Sequence, residues 1–201
     1  MSTSRMESFS DGVIAVAITL LVLNIHVPPP GSGSLAHELG KQWPTYAAYA
    51  TSFLTIGIIW INHHAMISRL GRADHAILIL NLLLLMSIGV LPFGTSLMAT
   101  YLRQGQGQGL AAAVYAGLLL LMAVAFSTLN QHILFRKPHL LEAELPQKRR
   151  RQILQRAQTG LIPYIVATAV APLSADLTLI ICASMAIFYA LPIASGGADP
   201  A

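Results

Sequence analysis

Long apolar stretches almost free of charge are the feature of this sequence that most restricts its fold. Six such blocks follow one another at residues 9–25, 44–61, 75–98, 110–129, 160–173 and 176–194. A helix that crosses hydrocarbon needs roughly 20 predominantly apolar residues. Only 10% of the residues are charged, against roughly 25% in an ordinary soluble domain. The sequence therefore predicts an all-α membrane protein, a single domain over residues 1–201 with six transmembrane helices and no soluble domain.

Proline and glycine separate the blocks. Three prolines at 28–30 end the first helix, because proline lacks the N–H and clashes with the preceding turn. Glycines alternate with glutamine at 105–109 and predict a flexible loop. Pro172 separates the last two blocks, and Ser174 or Asp176 can cap the sixth helix. The first and fifth blocks are short, so we expect their ends to lie at the lipid headgroups.

The first block does not have the pattern of a cleaved signal peptide. Glu7 and Asp11 lie where such a peptide carries positive charge, and no small-x-small cleavage site follows the apolar run. We therefore expect the first block to remain as a transmembrane helix.

The basic residues indicate the orientation, because cytoplasmic loops of membrane proteins are enriched in Lys and Arg. If the N-terminus is cytoplasmic, ten of the 12 basic residues fall inside and two outside. Those inside are Arg5, Arg69, Arg72, Arg136, Lys137, Lys148, Arg149, Arg150, Arg151 and Arg156, and those outside are Lys41 and Arg103. Both termini and the connection at 136–156 are thus predicted to be cytoplasmic, in a multi-pass protein of the cell membrane. That connection is expected to rest on anionic lipid headgroups.

The sequence does not have the pattern of a disulfide framework, a nucleic-acid-binding surface or a metal site. One cysteine, Cys182, provides neither a disulfide framework nor a zinc cluster. The basic residues lie in loops without interleaved aromatic residues, so no nucleic-acid partner is expected. His63 and His64 are adjacent and point about 100° apart on a helix, which does not favour a metal site.

Polar residues gather where three of the helices meet the predicted cytoplasmic face. The first helix begins near Asp11, the second ends near the cytoplasm, and the third returns from it. Asp, His, Asn and the Trp N–H can satisfy one another's hydrogen bonds, although a carboxylate at a helix start is also favoured by the helix dipole alone. We predict an inter-helix hydrogen-bond cluster from Ser10, Asp11, Trp60, Asn62, His63, His64 and Asn81.

An apolar stripe follows one side of the first helix. Val16, Leu20 and Leu23 recur at i, i+4 and i+7, with the hydroxyl of Thr19 beside them. By its spacing alone, such a stripe is interpreted as a surface that faces lipid or the protein core.

The first helix also carries a motif. Arg5-x3-Phe9-Ser10-Asp11-Gly12 leads into Ala-x-Ala-Ile-Thr-Leu-Leu-Val-Leu, and Trp60-x2-His63-His64 follows in the second helix. The chain resembles the bacterial relatives of the lysosomal potassium channel called transmembrane protein 175, over essentially its whole length. The resemblance implies a homotetramer of six-helix subunits in the lipid bilayer, whose four first helices line a cation pore on the symmetry axis. No Thr-Val-Gly-Tyr-Gly segment is present to form a carbonyl filter.

The same resemblance implies roles for the stripe. It places the narrowest ring of the pore at Val16, further apolar layers at Leu20 and Leu23, and the threonine for potassium preference at Thr19. The implied function is a potassium-preferring channel for monovalent cations, with no enzymatic activity and no cofactor besides the permeant ions.

Two other functions are weighed against the channel. An ion-coupled transporter would have internal repeats, broken helices and carboxylates at mid-membrane, whereas Asp11 lies at an edge and no repeat is visible. A membrane-embedded enzyme would need a nucleophile with its base, or a metal cluster. His63 and His64 with Asp74 are the one candidate group for it.

The orientation predicts the result of cysteine labelling. A single cysteine placed in the loop at 105–109 should react with an impermeant thiol reagent from outside intact cells, and one placed at 136–156 should not. Labelling of the 105–109 loop only after the membrane is permeabilised would overturn the orientation.

Overall fold

The computed structural model describes residues 3–31 and 33–191, and in this part of the chain regular structure is helical. Its nine α-helices are α1 (Thr3–Leu20), α2 (Leu35–Lys41), α3 (Trp43–Ile67), α4 (His75–Gly89), α5 (Leu91–Tyr101), α6 (Gln108–Gln131), α7 (Gln147–Thr159), α8 (Leu161–Val170) and α9 (Ala175–Ala190). A 3₁₀ turn, Leu21–Asn24, extends α1, and a π turn, His132–Arg136, extends α6.

Among the described residues, four helical segments are long and apolar enough to cross a membrane, and the chain is an all-helical membrane protein. These segments are Thr3–Asn24, Trp43–Ile67, His75–Tyr101 and Gln108–Arg136. The fifth and sixth apolar blocks form the shorter helices α8 and α9. Residues 192–194, the end of the predicted sixth span, lie outside the described residues.

Three helix ends are defined more closely by the structure than by the sequence. The first helix begins at Thr3, six residues before the apolar block, because residues such as Arg5 and Glu7 also favour helix. The third span is interrupted at Val90, since Pro92 in the next turn cannot donate a backbone hydrogen bond. At the start of α9 it is Ser174 that caps the helix, with its hydroxyl accepting from Leu177 N–H at 3.2 Å.

α6 is the central element of the bundle. It packs against α4, α5, α8 and α9, while α3 packs against α1, α5 and α9. Buried hydroxyl groups join three of these helices, because the Ser52 hydroxyl lies 2.8 Å from that of Thr95 and 3.0 Å from that of Tyr115. Within an apolar surrounding such a pairing holds α3, α5 and α6 in one register.

The predicted connection at 136–156 is folded against the bundle and contains the polar helix α7. Its first part pairs with the α3–α4 turn, where Gly71 N–H donates to Leu140 C=O and Glu142 N–H donates to Arg69 C=O, both at 2.9 Å. Arg150 donates to the carbonyls of Leu145 and Leu134. We call this end of the bundle, which carries Arg69, Arg72, Arg136, Lys137 and α7, the basic end.

Asp74 caps α4 at the basic end. Its carboxylate accepts from Ile77 N–H at 2.9 Å and pairs with the Lys137 ammonium at 3.2 Å. The pKa of this carboxyl is below its usual range, chiefly because it accepts from Ile77 N–H and also because it pairs with Lys137. Desolvation acts in the opposite direction. The stabilisation is therefore present at neutral pH and is lost as the pH falls through the lowered pKa.

Candidate functional site

The first helix is attached to α3 by two polar pairs near the basic end. Glu7 and Asp11 lie one turn apart on α1, and Trp60 and His64 lie one turn apart on α3. Trp60 Nε1 donates to Asp11 Oδ1 at 2.8 Å, and His64 Nδ1 lies 2.7 Å from Glu7 Oε1. Because the earlier residue of α1 meets the later residue of α3, the two helices run antiparallel.

A second, buried connection ties α1 to α3 and α4. Asn81 Nδ2 donates to Ser10 Oγ at 2.9 Å, and Asn81 Oδ1 lies 2.8 Å from His63 Nε2. Ser10 Oγ in turn donates to the Met6 carbonyl at 2.8 Å. Since Asn81 Oδ1 can only accept, His63 carries a proton on Nε2. All three side chains are almost completely buried.

The two sets of contacts fix the rotation of α1 about its axis. Apolar side chains gain little by exchanging lipid for protein, so polar contacts and close packing decide which faces of membrane helices meet. Inter-helix hydrogen bonds contribute about 0.6 kcal/mol each on average in membrane proteins. Two such bonds, from Ser10 and Asp11, and the contact between Glu7 and His64 therefore hold one face of α1 against the subunit.

One residue of the predicted cluster and two residues of the first-helix motif lie apart from these contacts. Asn62 donates to the Ile58 carbonyl of its own helix at 2.8 Å. Arg5 and Phe9 are exposed on α1. The structure thus brings together Ser10, Asp11, Trp60, His63, His64 and Asn81, while Asn62, Arg5 and Phe9 do not join their hydrogen bonds.

Sequence reasoning missed Glu7 as a partner in this site. A signal for it was present, because Glu7 precedes Asp11 by four residues and His64 follows Trp60 by four. Two pairs with the same spacing on antiparallel helices can meet side by side. This relation gives the site two carboxylates on one face of α1.

The opposite face of α1 is largely exposed in the part of the chain that the structure describes. The buried positions of α1 and its 3₁₀ turn are Met6, Ser10, Ile14, Ala17 and Leu21. On the other side, Val16 is 58% exposed, Leu20 42% and Leu23 68%. The apolar stripe therefore does not belong to the core of one chain.

Thr19 lies on the exposed side beside the stripe. Its hydroxyl donates to the Val16 carbonyl at 2.9 Å. Because the proton is directed to the backbone, the lone pairs of the Thr19 oxygen remain available to an electropositive ligand.

No group of three or more His, Cys, Asp or Glu side chains with the arrangement of a metal site occurs among residues 3–31 and 33–191. Cys182 is free and buried in α9. The polar residues of the site lie at hydrogen-bonding distance from one another, which is the geometry of a structural connection between helices.

Comparisons with known proteins agree on one family. The sequence model of the family described as endosomal/lysosomal potassium channel TMEM175 matches residues 5–92. A potassium channel of Streptomyces collinus is 44% identical over 188 residues, which cover 93% of this chain and 91% of the relative. A potassium channel of Chamaesiphon minutus is 40% identical over 192 residues, 94% of each chain. The fold is similar to the crystal structure of a lysosomal potassium-selective channel TMEM175 homolog from Chamaesiphon minutus, with a TM-score of 0.85, 38% identity and coverage of 97% of this chain and 98% of that one.

The network predicts a coupling between Asp11 and Trp60. Asp11→Asn should lower the free energy of unfolding in detergent by about 1 kcal/mol, because the bond loses its charge assistance. A double-mutant cycle of Asp11→Ala with Trp60→Phe should give a coupling energy of similar size, measured by reversible denaturation. Asp176→Asn, at the exposed start of α9, is the matched control and should change stability little. Strictly additive effects of the two substitutions would show that the contact does not hold α1.

Proposed function

The chain belongs to the TMEM175 family, and we propose that four copies of it enclose a potassium-conducting pore lined by their first helices. The two relatives that match it over nearly their full lengths are potassium channels, and this chain is accordingly a potassium channel of that family and no enzyme. The proposed pore also has a constriction, and the proposed subunit has its basic end in the cytoplasm.

The difference between the two faces of α1 is the main support for the proposal. Its polar face is held against α3 and α4, and its other face presents Val16, Leu20 and Leu23 outside the subunit. At about 100° per residue, Val16 lies about 200° around the helix from the buried Ile14. A single small bundle encloses no conduit, so rotational symmetry is the means by which such a face can line one.

The positions along the axis suit a stack of apolar rings. Val16 and Leu20 are one α-helical turn apart, a rise of about 6 Å. Leu20 and Leu23 flank the start of the 3₁₀ turn, in which residues three apart eclipse one another and rise by about 6 Å. All three side chains would therefore face a common axis at successive levels. A narrow apolar ring opposes ion passage because methyl groups cannot replace the hydration shell of a cation.

Thr19 is the proposed source of potassium preference. Its hydroxyl proton is used within α1, where it donates to Val16 C=O. Four such oxygens around an axis could replace part of the hydration shell of a monovalent cation. Potassium gives up its hydration water at lower cost than sodium, so partial replacement favours potassium.

The proposed orientation places the basic end in the cytoplasm. The ten-to-two division of basic residues supports it, and the described helices put Arg69, Arg72, Arg136 and Lys137 at the same end of the bundle as the start of α1. The six spans of the proposed subunit are the four long segments together with α8 and α9.

An ion-coupled transporter is the alternative. Carboxylates that move between two states at mid-membrane would favour it. Asp11 and Glu7 lie instead near the basic end and are engaged by Trp60 and His64. The channel is therefore the function that the site supports best.

The stripe predicts two separable phenotypes in purified protein reconstituted into liposomes. Val16→Asn should wet the constriction, and potassium and sodium flux should both rise several-fold with poorer discrimination. Thr19→Val should lower the potassium-to-sodium flux ratio while conduction persists, because it removes the hydroxyl at almost constant volume.

Two matched controls lie on α8. Val166 is exposed on the outside of the bundle, and Thr168 donates to its own backbone at Tyr164 C=O as Thr19 does at Val16. Val166→Asn and Thr168→Val should leave flux and selectivity at the parent values. If the α1 and α8 variants behaved alike, the first helix would not be the pore.

A further inference from the structure

A groove of about 410 Å³ lies between α4 and α6 at the basic end. It is apolar on the α4 side and polar at the end of α6. Its α4 lining is Ala76, Ile79 and Leu80, and its α6 lining includes Thr128, His132 and Arg136. The groove is distinct from the proposed pore, because neither its lining nor its helices include α1.

The polar end of the groove carries a cation without an ionic partner. Asp74, a nearby carboxylate, is already paired with Lys137 and with Ile77 N–H. Arg136 is exposed and forms no salt bridge within the described residues. The local charge at this end of the groove is therefore positive.

His132 supplies an unused hydrogen-bonding atom beside it. Its Nε2 is buried and has no hydrogen-bond partner in the part of the chain that the structure describes. Both His132 and Arg136 belong to the π turn that ends α6, closed by the bond from Lys137 N–H to His132 C=O at 3.0 Å. π turns of this kind are frequent at functional sites.

The apolar end of the groove continues towards the middle of the bundle. Ile79, Leu83 and Met86 are exposed at i, i+4 and i+7 on α4, and Leu121 and Val124 are exposed on α6. Two exposed apolar faces thus run from the charged end into the spanning region. Their direction matches that of a phospholipid, with a phosphate at the boundary and acyl chains below it.

We propose that this groove binds one anionic phospholipid of the adjacent leaflet. Its phosphate contacts Arg136 and His132, and an acyl chain lies along Ile79 and Leu83. Basic pockets between transmembrane helices are known to bind acidic headgroups. A second copy of the chain with the same orientation fits less well, because it would bring its own basic end to the level of Arg136.

The test is native mass spectrometry of the full chain in detergent, titrated with palmitoyl-oleoyl-phosphatidylglycerol. Arg136→Gln should weaken binding of this lipid roughly fivefold, the effect of about one basic residue at a membrane surface. Arg136→Lys should restore most of the affinity. Arg156→Gln removes another exposed cation of the basic end that lies outside the groove, and it should leave the affinity unchanged. Phosphatidylcholine should bind more weakly than phosphatidylglycerol to the parent chain.

Three results would overturn the proposal. Equal affinities in Arg136→Gln and Arg156→Gln would show that lipid responds to overall charge and not to the groove. Displacement of the lipid by millimolar glycerol 3-phosphate would assign the site to a free phosphate. Efficient disulfide formation between chains carrying Ile79→Cys would show that a second copy covers the groove. None of these measurements depends on conduction, so they are independent of the proposed pore.

Discussion

The attachment of the first helix to its neighbours by buried and charge-assisted hydrogen bonds is the interaction on which the rest of the structure depends. In hydrocarbon an apolar helix has little preference for one face over another, so a few polar side chains decide its rotation. Ser10 bonds to Asn81, and Asp11 bonds to Trp60. Once these contacts form, Ile14 and Ala17 are buried while Val16 and Leu20 are left outside the subunit.

Much of this fold could be predicted from the sequence, because backbone groups in hydrocarbon must be satisfied within a helix and long apolar runs therefore mark the spans. Ser10, Asp11, Trp60, His63 and Asn81 could be assigned to one end of the bundle from their positions near helix ends. Which of these residues form hydrogen bonds with one another could not be predicted from the sequence. Asn62 and His64 differ by only two positions, yet one bonds within its own helix and the other contacts Glu7. That difference depends on where each side chain points around α3, which only the packing of α1 against it determines.

Elements without a strong hydropathy signal were the ones that sequence reasoning missed. α2 and α7 are polar helices, and their ends and contacts arise from tertiary structure. The interruption at Val90 follows from Pro92, but a proline in a spanning helix can give either a kink or a break. The contacts of the 136–156 connection could not be predicted either. Gly71 and Leu140 pair through backbone atoms, and such pairing has no characteristic pattern of side chains.

The central claim is that the outer face of α1 faces water in a conducting pore. Leu23→Cys tests it most directly, because Cys182 is buried and the parent chain should be insensitive to an impermeant cationic thiol reagent. In liposomes, modification of Leu23→Cys should sharply reduce potassium flux, while modification of Leu173→Cys, exposed at the α8–α9 turn, should leave flux unchanged. Complete modification of Leu23→Cys with unchanged potassium flux would contradict a pore lined by the first helix.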